Sequence, residues 1–126
     1  FTVDDLMHLR RGGRLSGIAA MVGTVLNVKP LLRGDEEGKI VVFSKLRGRK
    51  KAIEAIAHEY EAKAVDPQHQ RVAISHGDCP EDAEKLAEMV CEIAQPKELI
   101  IAMHEPYTGI HVGPGMLSLF FLGAGR

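Results

Sequence analysis

The sequence predicts an α/β or α+β domain, and three features predict it. Apolar residues recur at intervals of three and four in two separate stretches. These are Ile53, Ile56, Ala57, Tyr60 and Ala64 in one, and Ala83, Leu86, Val90 and Ile93 in the other. That is the period of a helix with one buried face. Short apolar runs bounded by Gly, Pro and Asp, such as "RVAISHGD" and "ELIIAMHEP", alternate with these helices and read as strands. At 126 residues, 45% hydrophobic and 26% charged, the chain has the size and composition of one domain with its own core. Strands alternating with helices imply a sheet on which the helices pack.

The elements follow in chain order. Thr2 with Asp5 three residues on makes a pattern like a capping box, so a short helix is expected there, with Val3, Leu6, Met7 and Leu9 as its apolar face. Gly12 and Gly13 stop it. Ser16 caps a second segment, "GIAAMVGTVL", which is apolar all round and therefore buried on every side or in contact with an apolar ligand. "LNVKPLL" is a strand made irregular, or placed at an edge, by Pro30. "RGDEEGK" is a polar turn, and "KIVVFSKLR" a strand. Residues 48–64 form the first amphipathic helix. "DPQHQ" is a loop and "RVAISHGD" a short buried strand. Pro80 suits the first position of the second helix, which Pro96 follows. "ELIIAMHEP" is a strand, "YTGIHVGPG" a loop and "MLSLFFLG" the last strand.

A net charge of −1 gives no electrostatic reason to expect nucleic acid as a partner. The longest apolar run falls far short of the ~20 residues that span a bilayer. Cys79 and Cys91 show neither C-x-x-C spacing nor a disulfide framework, so a reduced, cytoplasmic setting is expected. The opening "FTVDDL" lacks an initiator Met and is expected of a piece of something longer.

Four groups of residues could carry chemistry. Arg10, Arg11 and Arg14 flank a Gly pair beside a helix start, an arrangement that holds an anion or is a solvated helix end. Five basic residues fall within residues 45–51, among them Arg47 and Arg49. Cations crowded at a helix start oppose its dipole and call for a compensating anion or for solvent. His76, His104 and His111 each lie at or after the end of an expected strand, where they could cluster. There is no H-E-x-x-H and no second cysteine pair, so no metal is expected; His58 and His69 read as surface residues. The most specific stretch is "GIHVGPG". Its glycines permit positive φ and close approach of backbone to a ligand, its proline fixes the turn, and together they could present His111 and a row of N–H groups at one place. A tight loop that happens to carry a histidine is the plainer alternative.

With "LRRGGRLSGIAAMVGTVLNVKPLL", "LRGRKKA", "RVAISHGDCPEDAEKL" and "GIHVGPGMLSLFFLG" in this order, the chain resembles the C-terminal domain of the bacterial DegV family. The resemblance implies a two-layer sandwich of a mixed β-sheet with helices, joined in the whole protein to an N-terminal α/β domain. It implies a protein that binds a long-chain fatty acid, needs no cofactor and is not itself a catalyst. Its partner would be a separate fatty acid kinase that phosphorylates the carboxylate, and a transient contact with a membrane surface fits that role. The histidine of the family's H-x-G-P-G loop falls on His111, in the polar network at the fatty-acid head group. Gly113 and Gly115 belong to the same loop. Val112 replaces the Thr of many relatives, which removes a hydroxyl. Arg14 and Arg47, or Arg49, fall on the arginines near the mouth that suit a kinase partner or an acyl phosphate. Ile18, Met21 and Phe120, within residues 18–26 and 120–121 together with residues 41–43, would supply the apolar tunnel. Burying an acyl methylene is worth ~0.8 kcal/mol, so about fourteen of them give on the order of 11 kcal/mol before ordering costs. Two other classes stand beside this one: a hydrolase, metal-dependent or histidine-based, using His76, His104 and His111, and a regulatory domain that docks a partner through Arg14 and Arg47.

Overall fold

The computed structural model describes residues 1–11 and 27–125. The expectations for the Ser16-capped segment, and for Arg14, Ile18 and Met21, lie outside the described residues. In chain order the elements are α1 (Leu6–Arg11), β1 (Val28–Gly34), β2 (Ile40–Arg47), α2 (Arg49–Lys63), β3 (Arg71–His76), α3 (Pro80–Ile93), β4 (Glu98–Met103), α4 (Pro106–Val112) and β5 (Leu117–Phe120). β1 and β2 form an antiparallel hairpin. β4, β3 and β5 form a three-stranded sheet in that order, with β3 parallel to β4 and antiparallel to β5. The mixed α/β architecture is thus the one expected. The ladder of β1 slips between Leu31 and Leu32, next to Pro30, which has no N–H to give it.

Residues 1–2 join the two sheets. The Thr2 N–H donates to the Leu117 carbonyl (2.9 Å) and the Leu117 N–H to the Thr2 carbonyl (3.0 Å), while the Leu32 N–H donates to the Phe1 carbonyl (2.8 Å). Thr2 bridges both Leu31 and Leu117. This corrects the capping expectation. A capping threonine must turn its hydroxyl to N–H groups two or three residues ahead, whereas the buried Thr2 donates its hydroxyl to the Pro30 carbonyl at 2.8 Å. The helix begins later, at Leu6, and it is Asp5 whose carboxylate accepts the Met7 N–H (2.8 Å).

Two cores result. Leu31, Val72, Ile74 and Leu117 of the strands meet Ile53, Ile56, Ala57 and Tyr60 of α2 and Ala83, Leu86 and Val90 of α3. Val3, Leu32 and Met116 meet Leu9 of α1 and Val112 of α4, with Ile40 and Val42 packed beside them. Adjacent residues of a strand point to opposite faces. Phe43 packs against the first core and Val42 against the second, so the long helices cover one face of the sheet and the short ones serve the other.

The stretch expected as a loop, residues 107–115, is largely helical. Pro106 occupies a first-turn position of α4, and Glu105 before it accepts hydrogen bonds from the Thr108 N–H (3.2 Å) and the Thr108 hydroxyl. Proline at the start and a capping carboxylate before it are helix signals. Gly109 masks them, because glycine costs a helix interior about 1 kcal/mol relative to alanine. Among the described residues no neighbour crowds Gly109, and the helix is held by its cap and by Val112 in the second core.

Candidate functional site

His111 lies in the last turn of α4 and is half-buried. Its ring meets the ring of Tyr107 edge to face, with centroids 5.9 Å apart. Tyr107 and Ile110 on the same short helix are 76% and 71% exposed, so apolar surface flanks the imidazole. Gly113 (φ 76°) and Gly115 (φ 82°) hold the left-handed conformations expected of this loop. Their N–H groups, however, are spent inside the protein: Gly113 donates to the Gly109 carbonyl (2.9 Å) and Gly115 to the Gly77 carbonyl (2.6 Å). What the glycines permit is close packing. A Cβ on Gly113 would stand 2.8 Å from the His8 ring, one on Gly115 2.5 Å from the Asp4 Cβ, and one on Gly77 2.9 Å from the Gly113 carbonyl oxygen. The loop shapes the ground under His111 rather than offering a row of donors.

The other histidines part company. His76 is buried at the end of β3, and its Nδ1 accepts the Cys79 N–H (3.2 Å). His104 follows β4; its Nδ1 shares a hydrogen bond with the Ser75 hydroxyl, and its N–H donates to the His76 carbonyl (2.7 Å). His58 and His69 sit on the surface against Glu61 and Asp66, and Asp66 raises the pKa of His69 by accepting its hydrogen bond. His8 bonds the Ile110 carbonyl. His111 is therefore the histidine whose ring has no hydrogen-bond partner among the described residues. Those residues also hold no group of three or more His, Cys, Asp or Glu that could bind a metal ion, so His76, His104 and His111 do not form the cluster that a metal-dependent hydrolase would need.

The basic turn divides in two. Gly48, at φ 92°, sits between β2 and α2. Arg49 turns inward: its Nε donates to Asp82 of α3 at 2.8 Å, and one terminal nitrogen reaches the Cys79 sulfur at 3.6 Å. The compensating anion sought for this helix start is thus supplied from within, by a carboxylate in the first turn of α3 where the dipole also favours it. Burial raises the Cys79 thiol pKa, against the pull of Arg49. Arg47 is exposed, with no partner among the described residues. A cavity of about 330 Å³ beside the turn is lined by Arg49, Lys50, Ile53, Asp82, Lys85 and Met89.

An apolar cavity of about 380 Å³ lies elsewhere, lined by Phe1, Leu31, Leu32, Phe43, Ile56, Leu119 and Phe121, with Arg33, Glu59 and Lys63 among its charged walls. Phe43 and Phe121 were expected in an apolar wall and do line it; His111, Gly113, Gly115 and Phe120 do not. Phe1 lines this cavity, and its nitrogen donates to the Leu32 carbonyl at 2.8 Å. Phe120 is 56% exposed near the far end of β5, roughly 10 Å along the strand from Leu117 at the spacing of extended chain. No helix among the described residues is long and apolar enough to cross a membrane. Sequence reasoning missed His8, Asp4, Lys29 and Asp82, whose partners lie 25 or more residues away and leave no local pattern.

A family model described as "Uncharacterised protein, DegV family" matches residues 1–124. A DegV domain-containing protein of Clostridium perfringens is 45% identical over 123 residues, which cover 98% of this chain and 42% of that protein. Among solved structures, a DegV family protein of Ruminococcus gnavus, described with vaccenic acid, superposes with a TM-score of 0.83 at 28% identity over 94% of this chain and 42% of that one. A fatty acid binding DegV family protein of Streptococcus agalactiae gives a TM-score of 0.79 at 35% identity over 94% of this chain and 41% of that one. The chain therefore spans about two fifths of the length of these relatives.

Proposed function

This chain belongs to the DegV family, and on that premise we propose that it binds a long-chain fatty acid at an interface with an N-terminal α/β domain, with His111 at the carboxylate. One observation carries the assignment of His111. Five of the six histidine rings are engaged in hydrogen bonds, and the sixth, on a helix rimmed by exposed apolar side chains, has no such partner among the described residues. An imidazole in that position can hydrogen-bond a carboxylate that would otherwise be buried without a partner, at a cost of several kcal/mol. The acyl chain would run from His111 across apolar surface that includes Phe120, with Ile18 and Met21 completing the wall. Gly113 and Gly115 contribute by shape. The protein would act as a carrier and not a catalyst. It would shield the chain and present the carboxylate to a fatty acid kinase in the cytoplasm, with Arg47 and Arg14 facing that partner or the acyl phosphate.

Native mass spectrometry of the protein at its full natural length tests the reading. A co-purifying acyl chain is expected, and its absence after delipidation and incubation with palmitate would overturn it. His111→Ala should weaken palmitate binding by about tenfold, the loss of one hydrogen bond to a charged group, with little change in preference between C16 and C18 chains. Arg47→Ala is expected to leave binding and stability unchanged, since its side chain is exposed and has no partner among the described residues, yet slow phosphorylation by the kinase. Normal turnover of that variant would make Arg47 ordinary surface charge.

A further inference from the structure

α1 and α4 are locked together by a histidine that sequence reasoning passed over. The Nε2 of His8 lies 2.7 Å from the Ile110 carbonyl oxygen, across 102 residues of chain. The oxygen can only accept, so Nε2 donates. Ile110 immediately precedes His111, in the final turn of a seven-residue helix. Carbonyls in that turn have no N–H of their own helix to receive; the Gly109 carbonyl takes the Gly113 N–H, and the Ile110 carbonyl takes His8. The His8 ring also fills the space that a side chain at position 113 would need, 2.8 Å from its Cγ and 3.0 Å from its Nδ1. One imidazole therefore holds the end of α4 by a hydrogen bond and the following glycine by contact.

We infer that His8 is a positioning residue for His111: it fixes the last turn of α4 from α1, the helix whose chain runs on to Gly12, Gly13 and Arg14. The inference rests on the reading of His111 as the head-group partner. A helix this short has no independent stability, and a binding side chain must be held to about 0.5 Å to be useful. Val112 anchors α4 to the core, but the turn that carries His111 is tied down at Ile110. The effect of His8 is mechanical.

The experiment uses the full-length protein with palmitate as the probe and compares His8→Phe, His8→Gln and His111→Ala. His8→Phe keeps a ring against Gly113 and loses the donor; His8→Gln keeps an N–H near the position of Nε2. His8→Phe is expected to weaken palmitate binding about fivefold, the scale of one neutral hydrogen bond, and to erase the NMR cross-peaks between the His111 and Tyr107 rings. His8→Gln should restore both to near the parent. Should His8→Phe fail to fold, His8→Asn, whose amide is too short to reach Ile110, takes its place with the same expectation. Parental binding by the donor-less variant alongside loss in His111→Ala would overturn the role of His8 and leave the proposed function standing. Equal impairment by Phe and Gln would show that a restored N–H does not restore the site, so that the hydrogen bond to Ile110 is not what positions His111, and would also overturn it. If His111→Ala binds as the parent does, the head-group reading falls, and this inference with it.

Discussion

Replacing Tyr60 with alanine is expected to cost about 3–5 kcal/mol of folding stability, as truncating a large buried aromatic side chain does. Tyr60 is fully buried at the centre of the first core. Its ring meets Phe121 edge to face at a centroid distance of 5.3 Å, so the truncation opens a void between α2 and the segment after β5. Its hydroxyl donates to the Ala94 carbonyl (3.0 Å) just beyond the end of α3. Tyr60→Phe isolates that bond and should cost only about 1 kcal/mol. Burial raises the phenol pKa above its ordinary 10.0. The unfolded chain therefore loses this proton first, and the stability it contributes is intact below about pH 10 and lost as pH climbs through the raised folded value. Tyr60→Phe should flatten that alkaline loss. Urea midpoints from circular dichroism at neutral pH and near pH 10.5 check all three statements. A midpoint for Tyr60→Ala within error of the parent would mean that the ring is not where the core needs it.

The parts of this architecture legible in the sequence are those whose signals are local. The period of Ile53, Ile56, Ala57 and Tyr60, and Pro80 ahead of Ala83, Leu86 and Val90, fix α2 and α3 without reference to anything distant. Pro30 foretells a disturbed ladder because the defect, a missing N–H, belongs to the residue itself. Thr2 misleads for the opposite reason. Its neighbourhood looks like a cap, while its partners, Pro30, Leu31 and Leu117, are gathered only when the sheets close. α4 is hidden by Gly109 and revealed by Glu105 and Pro106, weak marks that the glycines beyond them outweigh. For the candidate site, the sequence singles out His111 and its glycine-rich surroundings, and the resemblance supplies a role. The reason for the glycines is invisible there, since His8, Asp4 and Gly77 lie 36 or more residues away. Nor could charge density distinguish Arg49, which turns to Asp82, from Arg47, which does not.

Those glycines support the second large effect. Gly115→Ala is expected to destabilise the protein by about 2–4 kcal/mol, combining the penalty of a left-handed φ for a side chain with a steric collision. The new Cβ would stand 2.5 Å from the Asp4 Cβ, and Asp4 cannot swing aside cheaply. Lys29, mostly buried, grips its carboxylate at 2.6 Å and its backbone carbonyl at 3.0 Å. Gly115 is held from the other side by its bond to the Gly77 carbonyl. Because the collision is with the Cβ and not with the carboxylate, Asp4→Ala should give no relief in a double variant. Asp4→Gly should recover about 1 kcal/mol or more as coupling energy, leaving the φ penalty in place. Urea midpoints for the two double-mutant cycles separate the causes. Equal coupling with Asp4→Ala and Asp4→Gly would assign the damage to charge and backbone strain, and the close approach of α1's entry segment to the loop beneath His111 would lose its standing as the reason glycine sits at position 115.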